Sequence, residues 1–157
     1  MVKEFEFYHG LVFARLIHNL GHSVLIEPYP TESNASYIIN KEVGLYIKYS
    51  TTRMTPWSFS FKKEHQDEIL DMKNKLGRVY IVFVCYDDGL ACLSYSELKD
   101  VLNEKYEQTE WVRIARRSRE KYTITGKDGK LKYKIGDNEF PRKIFSHIST
   151  NTHIVQA

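Results

Sequence analysis

Val43-Gly44-Leu45-Tyr46-Ile47-Lys48-Tyr49-Ser50 is a strand-like run with a single lysine among apolar and aromatic residues. A lysine there either reaches water from a sheet edge or is aimed at an anion. The run follows Ser36-Tyr37-Ile38-Ile39-Asn40 across a turn at Lys41 to Gly44, so the two stretches read as a hairpin. Before them, Ser23-Val24-Leu25-Ile26-Glu27 reads as another strand, ended by Pro28-Tyr29-Pro30. Three short strands in succession make a meander on one side of a mixed sheet.

Helical spacing brackets this meander. Phe5, Tyr8, Val12, Leu16 and Leu20 recur at three and four residues and stop at Gly21, giving a first helix in which Gly10 lowers the propensity and marks either a close crossing or an approach to the neighbouring hairpin. His9 and Glu6 stand three apart on it. A second helix over residues 62 to 76 carries His65, Ile69, Met72 and Leu76 on its apolar side. Between meander and second helix, Trp57, Phe59 and Phe61 alternate with small polar residues, an extended segment with one aromatic face that reads as a core flap before it reads as a base-stacking platform.

Downstream, the unbroken run Val79 to Tyr86 has the pattern of a sheet-centre strand covered on both faces. Asp87-Asp88-Gly89 turns it into a short strand at Leu90 to Leu93. Ser94 with Glu97 is a capping box for a third helix. Strand patterns return at Trp111 to Arg116, Tyr122 to Thr125 and Leu131 to Ile135, the last two joined through Gly126-Lys127-Asp128-Gly129. Pro141 to Ile148 packs back as a short helix or extended tail. The expected class is α/β (α+β): one domain with a central mixed sheet flanked by helices. Residues 1–110 form its core and residues 111–157 a basic, strand-rich extension packed on it.

Charge is distributed unevenly. Residues 1–110 hold 12 Lys/Arg and 16 Asp/Glu, whereas residues 111–145 hold 11 and 4, so the net charge of +3 conceals a basic region. Clustered Arg and Lys attract phosphate backbones without regard to base sequence, and a solvated strand face is the plain alternative. Cys85 and Cys92 lie in apolar surroundings and read as buried thiols. Of the six histidines only His18 and His22 are four apart, and the Asn19-Leu20-Gly21 stop between them breaks the helix that would align them as ligands; neither a phosphate-cradling glycine loop nor a nucleophile elbow is present. Without a run of membrane-spanning length or a secretory leader, the expected setting is the cytoplasm.

The order helix, meander, helix, strand, with Tyr46-Ile47-Lys48 on the second hairpin strand, resembles the core of the PD-(D/E)XK nuclease superfamily, the restriction-endonuclease-like fold. In that family one acid near the start of a hairpin strand and a Glu/Asp-x-Lys on the next hold one or two divalent metals, and the lysine orients the attacking water. Lys48 matches the lysine. Tyr46 stands where the second acid belongs, and Asn34 to Ser36 where the first does. The resemblance covers residues 4–93 and implies the first two of three readings, the third being of a different class and independent of it. The first is a degenerate, non-catalytic nucleic-acid-binding core. The second is a phosphodiester hydrolase using Mg2+ or Mn2+ on carboxylates borrowed from Glu6, Glu27 or Glu64, its metal ligands otherwise unassigned. The third is a protein-interaction or homodimerisation module using the Trp57, Phe59 and Phe61 stripe or a basic hairpin edge.

In the nucleic-acid readings, Lys48 faces a phosphate of DNA or RNA and Ser50 and Gln66 donate beside it. Arg53 extends the positive rim. Arg113, Arg116, Arg117, Arg119 and Lys121 position the backbone, Arg113 and Arg117 sharing a strand face that Arg116 does not.

Overall fold

The computed structural model describes residues 1–106 and 109–146. Helix α1 (Glu4–Leu20) forms where the three-and-four spacing predicts it, buries His9, Val12 and Leu16, and ends at Gly21 in the left-handed conformation, φ 72°. His9 belongs to the packing: its Nδ1 lies 2.7 Å from the Tyr37 hydroxyl, and burial lowers its pKa to about 4. Strands β1 (Ile26–Pro28), β2 (Ser36–Ile39) and β3 (Val43–Ser50) form the antiparallel meander, with Ser36 paired to Tyr46. The first strand starts later than Ser23. The Leu25 amide donates instead to the Asn40 side chain, so the ladder begins at Ile26.

Strand β4 (Trp57–Phe61) then leaves this sheet, and helix α2 (Lys63–Leu76) crosses back so that β5 (Val79–Cys85) lies parallel to β3. Such a parallel pairing requires a crossover, which α2 provides. Strand β6 (Gly89–Ser94) pairs antiparallel with β5, and the expected capping box starts α3 (Tyr95–Val101), with the Glu97 amide donating to Ser94 Oγ. The first sheet therefore runs β1-β2-β3-β5-β6. Every residue of β5 is buried, as its uninterrupted apolar sequence requires.

A second, antiparallel sheet has the order β4-β7-β8-β9, with β7 (Glu110–Ala115), β8 (Thr123–Gly126) and β9 (Gly129–Lys130). The 126–129 turn is a hairpin as read, but the third strand is short. After a last bond from the Leu131 amide to the Ile124 carbonyl the chain leaves the ladder, and Ile135 rejoins it through a single bridge to Tyr122. Leu131 and Ile135 are buried, so their side chains serve the core and not a pleated ladder. Gly126 is pressed against the end of α3, where a side chain would run into the Val101 carbonyl.

The two faces of the first sheet carry different loads. Val12 and Leu16 of α1 pack with Val43, Leu45 and Ile47 on one face. On the other, Tyr46, Ile81 and Phe83 meet Ile69 and Met72 of α2 and the inner residues of the second sheet, including Trp57, Phe59, Phe61, Val112 and Ile124. The aromatic stripe of β4 is thus a core flap: its three rings are 2%, 3% and 0% exposed. Ile144 and Phe145, in a helical turn at residues 142–146, are buried against the α1 side. The remainder of the tail, with His147, Ile148 and His153, lies outside the described residues. No helix among the described residues is long and apolar enough to cross a membrane.

Candidate anion-binding site

Lys48 shares the α2 side of β3 with Tyr46, and α2 brings His65 over it. Its Nζ lies 3.2 Å from His65 Nδ1 and 4.7 Å from the centre of the Phe61 ring. The Lys62 amide also donates to His65 Nδ1, at 3.1 Å. A nitrogen that accepts from two donors carries no proton, so the imidazole is neutral with its hydrogen on Nε2. His65 is accordingly held below the usual histidine range, by burial first and then by Lys48 and Lys62. Burial, followed by the Lys62 charge, lowers Lys48 to about 8. Lys48 enters no ion pair among the described residues, and a half-buried ammonium beside a second cation favours an incoming anion.

The acids that a metal would need do not gather here. Glu6 accepts from the Lys3 amide at 2.9 Å in the first turn of α1. Glu27 pairs with Lys41 at 2.8 Å on β1, and Glu64 is exposed in the first turn of α2. The acid that does reach the meander is Glu68, which sequence reasoning missed. It accepts hydrogen bonds from Thr31 Oγ1 at 2.9 Å, Ser33 Oγ at 2.6 Å and Ser36 Oγ. A signal for it exists in the helical phase: Glu68 follows His65 by three residues and shares the half of α2 that carries Ile69 and Met72, whereas Glu64 does not.

Mg2+ and Mn2+ need several hard oxygen ligands. One carboxylate already wrapped by three hydroxyl donors does not fit either ion. No group of three His, Cys, Asp or Glu among the described residues is placed to hold a metal. Gln66 points elsewhere, because one helical step of about 100° turns it from His65 into the core. Its Nε2 donates to buried Glu110 and its Oε1 accepts from Lys99, both at 3.5 Å, tying α2 to β7 and α3. Ser50 is buried and its Oγ accepts from the Thr52 amide at 3.2 Å.

A second cationic feature lies past the ends of β3 and β7. A cavity of about 330 Å3 is lined by Arg53, Arg116, Arg117, Ser118 and Arg119 together with Trp57 and Asp88. Arg116 forms its fixed wall. Its Nε lies 2.7 Å from Asp88 Oδ2, its Nη2 donates to the Asp88 carbonyl at 2.9 Å, and its guanidinium stacks 4.2 Å from the Tyr122 ring centre. Tyr122 donates to the same carboxylate oxygen at 2.6 Å, so Asp88 Oδ2 is shared between the guanidinium and the phenol.

Arg53, Arg117 and Arg119 have no side-chain hydrogen bond or ion pair among the described residues, and each lines that cavity. Arg119 adopts φ 68°, a conformation non-glycine residues seldom take. Arg113 is exposed on the outer side of β7, and Lys121 is exposed before β8; neither lines the cavity. Because β7 ends at Ala115, strand alternation does not govern Arg116 and Arg117, and the chain reversal at residues 116–120 gathers what alternation would separate.

No protein-family model, no curated protein and no solved structure matches this chain.

Proposed function

We propose that the protein binds nucleic acid through its phosphate backbone, on a degenerate and non-catalytic restriction-endonuclease-like core. The observation that carries this reading is the cavity in which Arg53, Arg117 and Arg119 stand without acidic partners beside the clamped Arg116. Guanidinium groups donate in a planar fork that matches phosphate oxygens, and three of them at one cavity form an electropositive receptor independent of base identity. The nuclease-like part of the proposal is supported by an antiparallel meander, a crossing helix and a parallel strand in the expected order. In the resemblance Lys48 matches the family's lysine, Tyr46 replaces the second acid and Asn34 to Ser36 the first; Ser36 pairs with Tyr46 across β2 and β3.

The same side chains account for binding without cleavage. Loss of both acids removes the metal that would generate a nucleophile, and Lys48 then acts only as a cation toward a phosphate. A backbone binder of this kind operates on DNA or RNA in the cytoplasm.

The test is fluorescence anisotropy with labelled single- and double-stranded DNA and RNA across a salt series. Affinity for at least one of them should fall steeply with salt, the log–log slope being about −0.9 per phosphate contact on duplex DNA. Absence of binding to all of them at low salt, or binding indifferent to salt, would overturn the proposal. Mg2+-dependent cleavage abolished by Lys48→Ala would establish the hydrolase instead.

A further inference from the structure

The arginine cavity past the ends of β3 and β7 holds more positive charge than a passing strand uses. Four arginines, Arg53, Arg116, Arg117 and Arg119, line it against one acid among the described residues, Asp88, a surplus of three positive charges around about 330 Å3. Asp88 is committed to Arg116 and Tyr122. The acid that follows the reversal, Glu120, pairs with Lys134 at 3.4 Å and does not line the cavity. Ser118 lines it too, and its hydroxyl has no hydrogen-bond partner among the described residues. Trp57, 2% exposed, belongs to the inner wall, and Met54, 75% exposed, stands at the rim.

An internal phosphodiester brings one negative charge and two free oxygens, and the chain must leave it in both directions. A terminal phosphomonoester carries a charge of about −1.5 to −2 at pH 7 and three acceptor oxygens. Three planar forks and a hydroxyl around one space match that group and exceed what a diester can engage. We infer that the arginine cavity takes the terminal phosphomonoester of a nucleic-acid strand, so that phosphorylated ends bind in preference to chain interiors. The inference rests on the nucleic-acid reading and names which phosphate fills the cavity. Size agrees with it. The cavity lies at the low end of the range of small-molecule sites, about 300–1,000 Å3, with room for the phosphate and its sugar against Met54 and the bases left outside. Arg113 and Lys121 flank the reversal in sequence as exposed cations without ion pairs among the described residues, and they offer positive charge to the strand behind its end. A phosphoserine peptide presents the same terminal group without that trailing run of anions, so the charge favours nucleic acid.

Anisotropy with internally labelled strands of one sequence tests it, the strands carrying a 5′ phosphate, a 3′ phosphate or two hydroxyl ends, or being closed into a circle, with a labelled phosphoserine peptide alongside. At least one phosphate-ended strand should bind about tenfold or more tighter than the hydroxyl-ended and circular strands, and which one does so identifies the end recognised. Replacing Arg117 and Arg119 together by Gln, both exposed and unpaired, should remove that advantage and leave the melting temperature in place; should the variant melt early, the wild-type ratio decides alone. Equal binding of phosphate-ended, hydroxyl-ended and circular strands would overturn the inference and leave nucleic-acid binding standing, whereas no binding of any strand would overturn both. A preference that a well-folded double variant retains, or a phosphoserine peptide that binds as tightly as the phosphate-ended strand, would also overturn it.

Discussion

Two cationic regions of the molecule, Lys48 on β3 and the arginines beyond β7, solve the problem of unpaired charge in opposite ways. Lys48 sits half-buried against Phe61 and His65, and its pKa falls to about 8 because burial and Lys62 disfavour the charge. Arg53, Arg117 and Arg119 remain at a solvent-accessible cavity without an ion pair among the described residues, while Arg116 is locked by Tyr122 and by Asp88, which lines the same cavity. The difference teaches where binding energy is available. A lysine that already bears a desolvation cost can contribute one contact, whereas three hydrated guanidinium groups converging on one space can engage several phosphate oxygens.

The largest effect should come from removing the free arginines together. Replacing Arg53, Arg117 and Arg119 by Ala should weaken nucleic-acid binding by about 30-fold or more and flatten the salt slope by about 0.9 for each duplex-DNA phosphate that is no longer neutralised. Anisotropy across the salt series reads both quantities, and the thermal transition should stay in place. Arg116→Ala should do the reverse. It strands Asp88 and Tyr122, and thermal or urea denaturation should show a loss of about 2 kcal/mol, since hydrogen bonds to charged partners contribute about 1.5–3 kcal/mol.

Lys48→Met should sharpen the contrast from the other side. The folded pKa lies below the unfolded value, so the penalty for the buried ammonium is complete below about pH 8 and disappears as the pH rises toward 10.5. Wild-type stability should therefore gain on raising the pH through that window, and the variant should lack that gain. At pH 7 the variant should be more stable by about 1–2 kcal/mol, a value reduced for partial exposure. The smallest effects belong to Glu6→Gln, Glu27→Gln and Glu64→Gln. Each should change stability by less than about 1 kcal/mol and leave nucleic-acid affinity unchanged within error; Mg2+-dependent cleavage by the wild type that any of them abolishes would revive the borrowed-carboxylate hydrolase.

Much of the scaffold was legible because its periodicities are strong. The three helices, the β2–β3 hairpin, the buried β5 and the alternating Trp57, Phe59 and Phe61 stripe each follow from local pattern and core demand. The site was legible only in part. Gln66 and His65 are neighbours in sequence, yet the helical phase sends Gln66 into the core and leaves His65 on Lys48. Glu68 rather than Glu64 reaches the meander for the same reason, and the hydroxyls that hold it come from a loop whose path no periodicity records. Strand alternation separates Arg116 from Arg117, but both lie beyond the end of β7, where alternation no longer applies. Asp88, from the distant β5–β6 turn, separates them.

The central claim is that nucleic acid engages the arginine cavity. NMR titration of the arginine Nε–Hε signals with a short oligonucleotide at low salt tests it most directly. The account predicts progressive shifts at Arg53, Arg117 and Arg119 with Arg116 nearly stationary on Asp88. Shifts confined to Arg113 and other outward side chains, with the three cavity arginines unmoved, would contradict it.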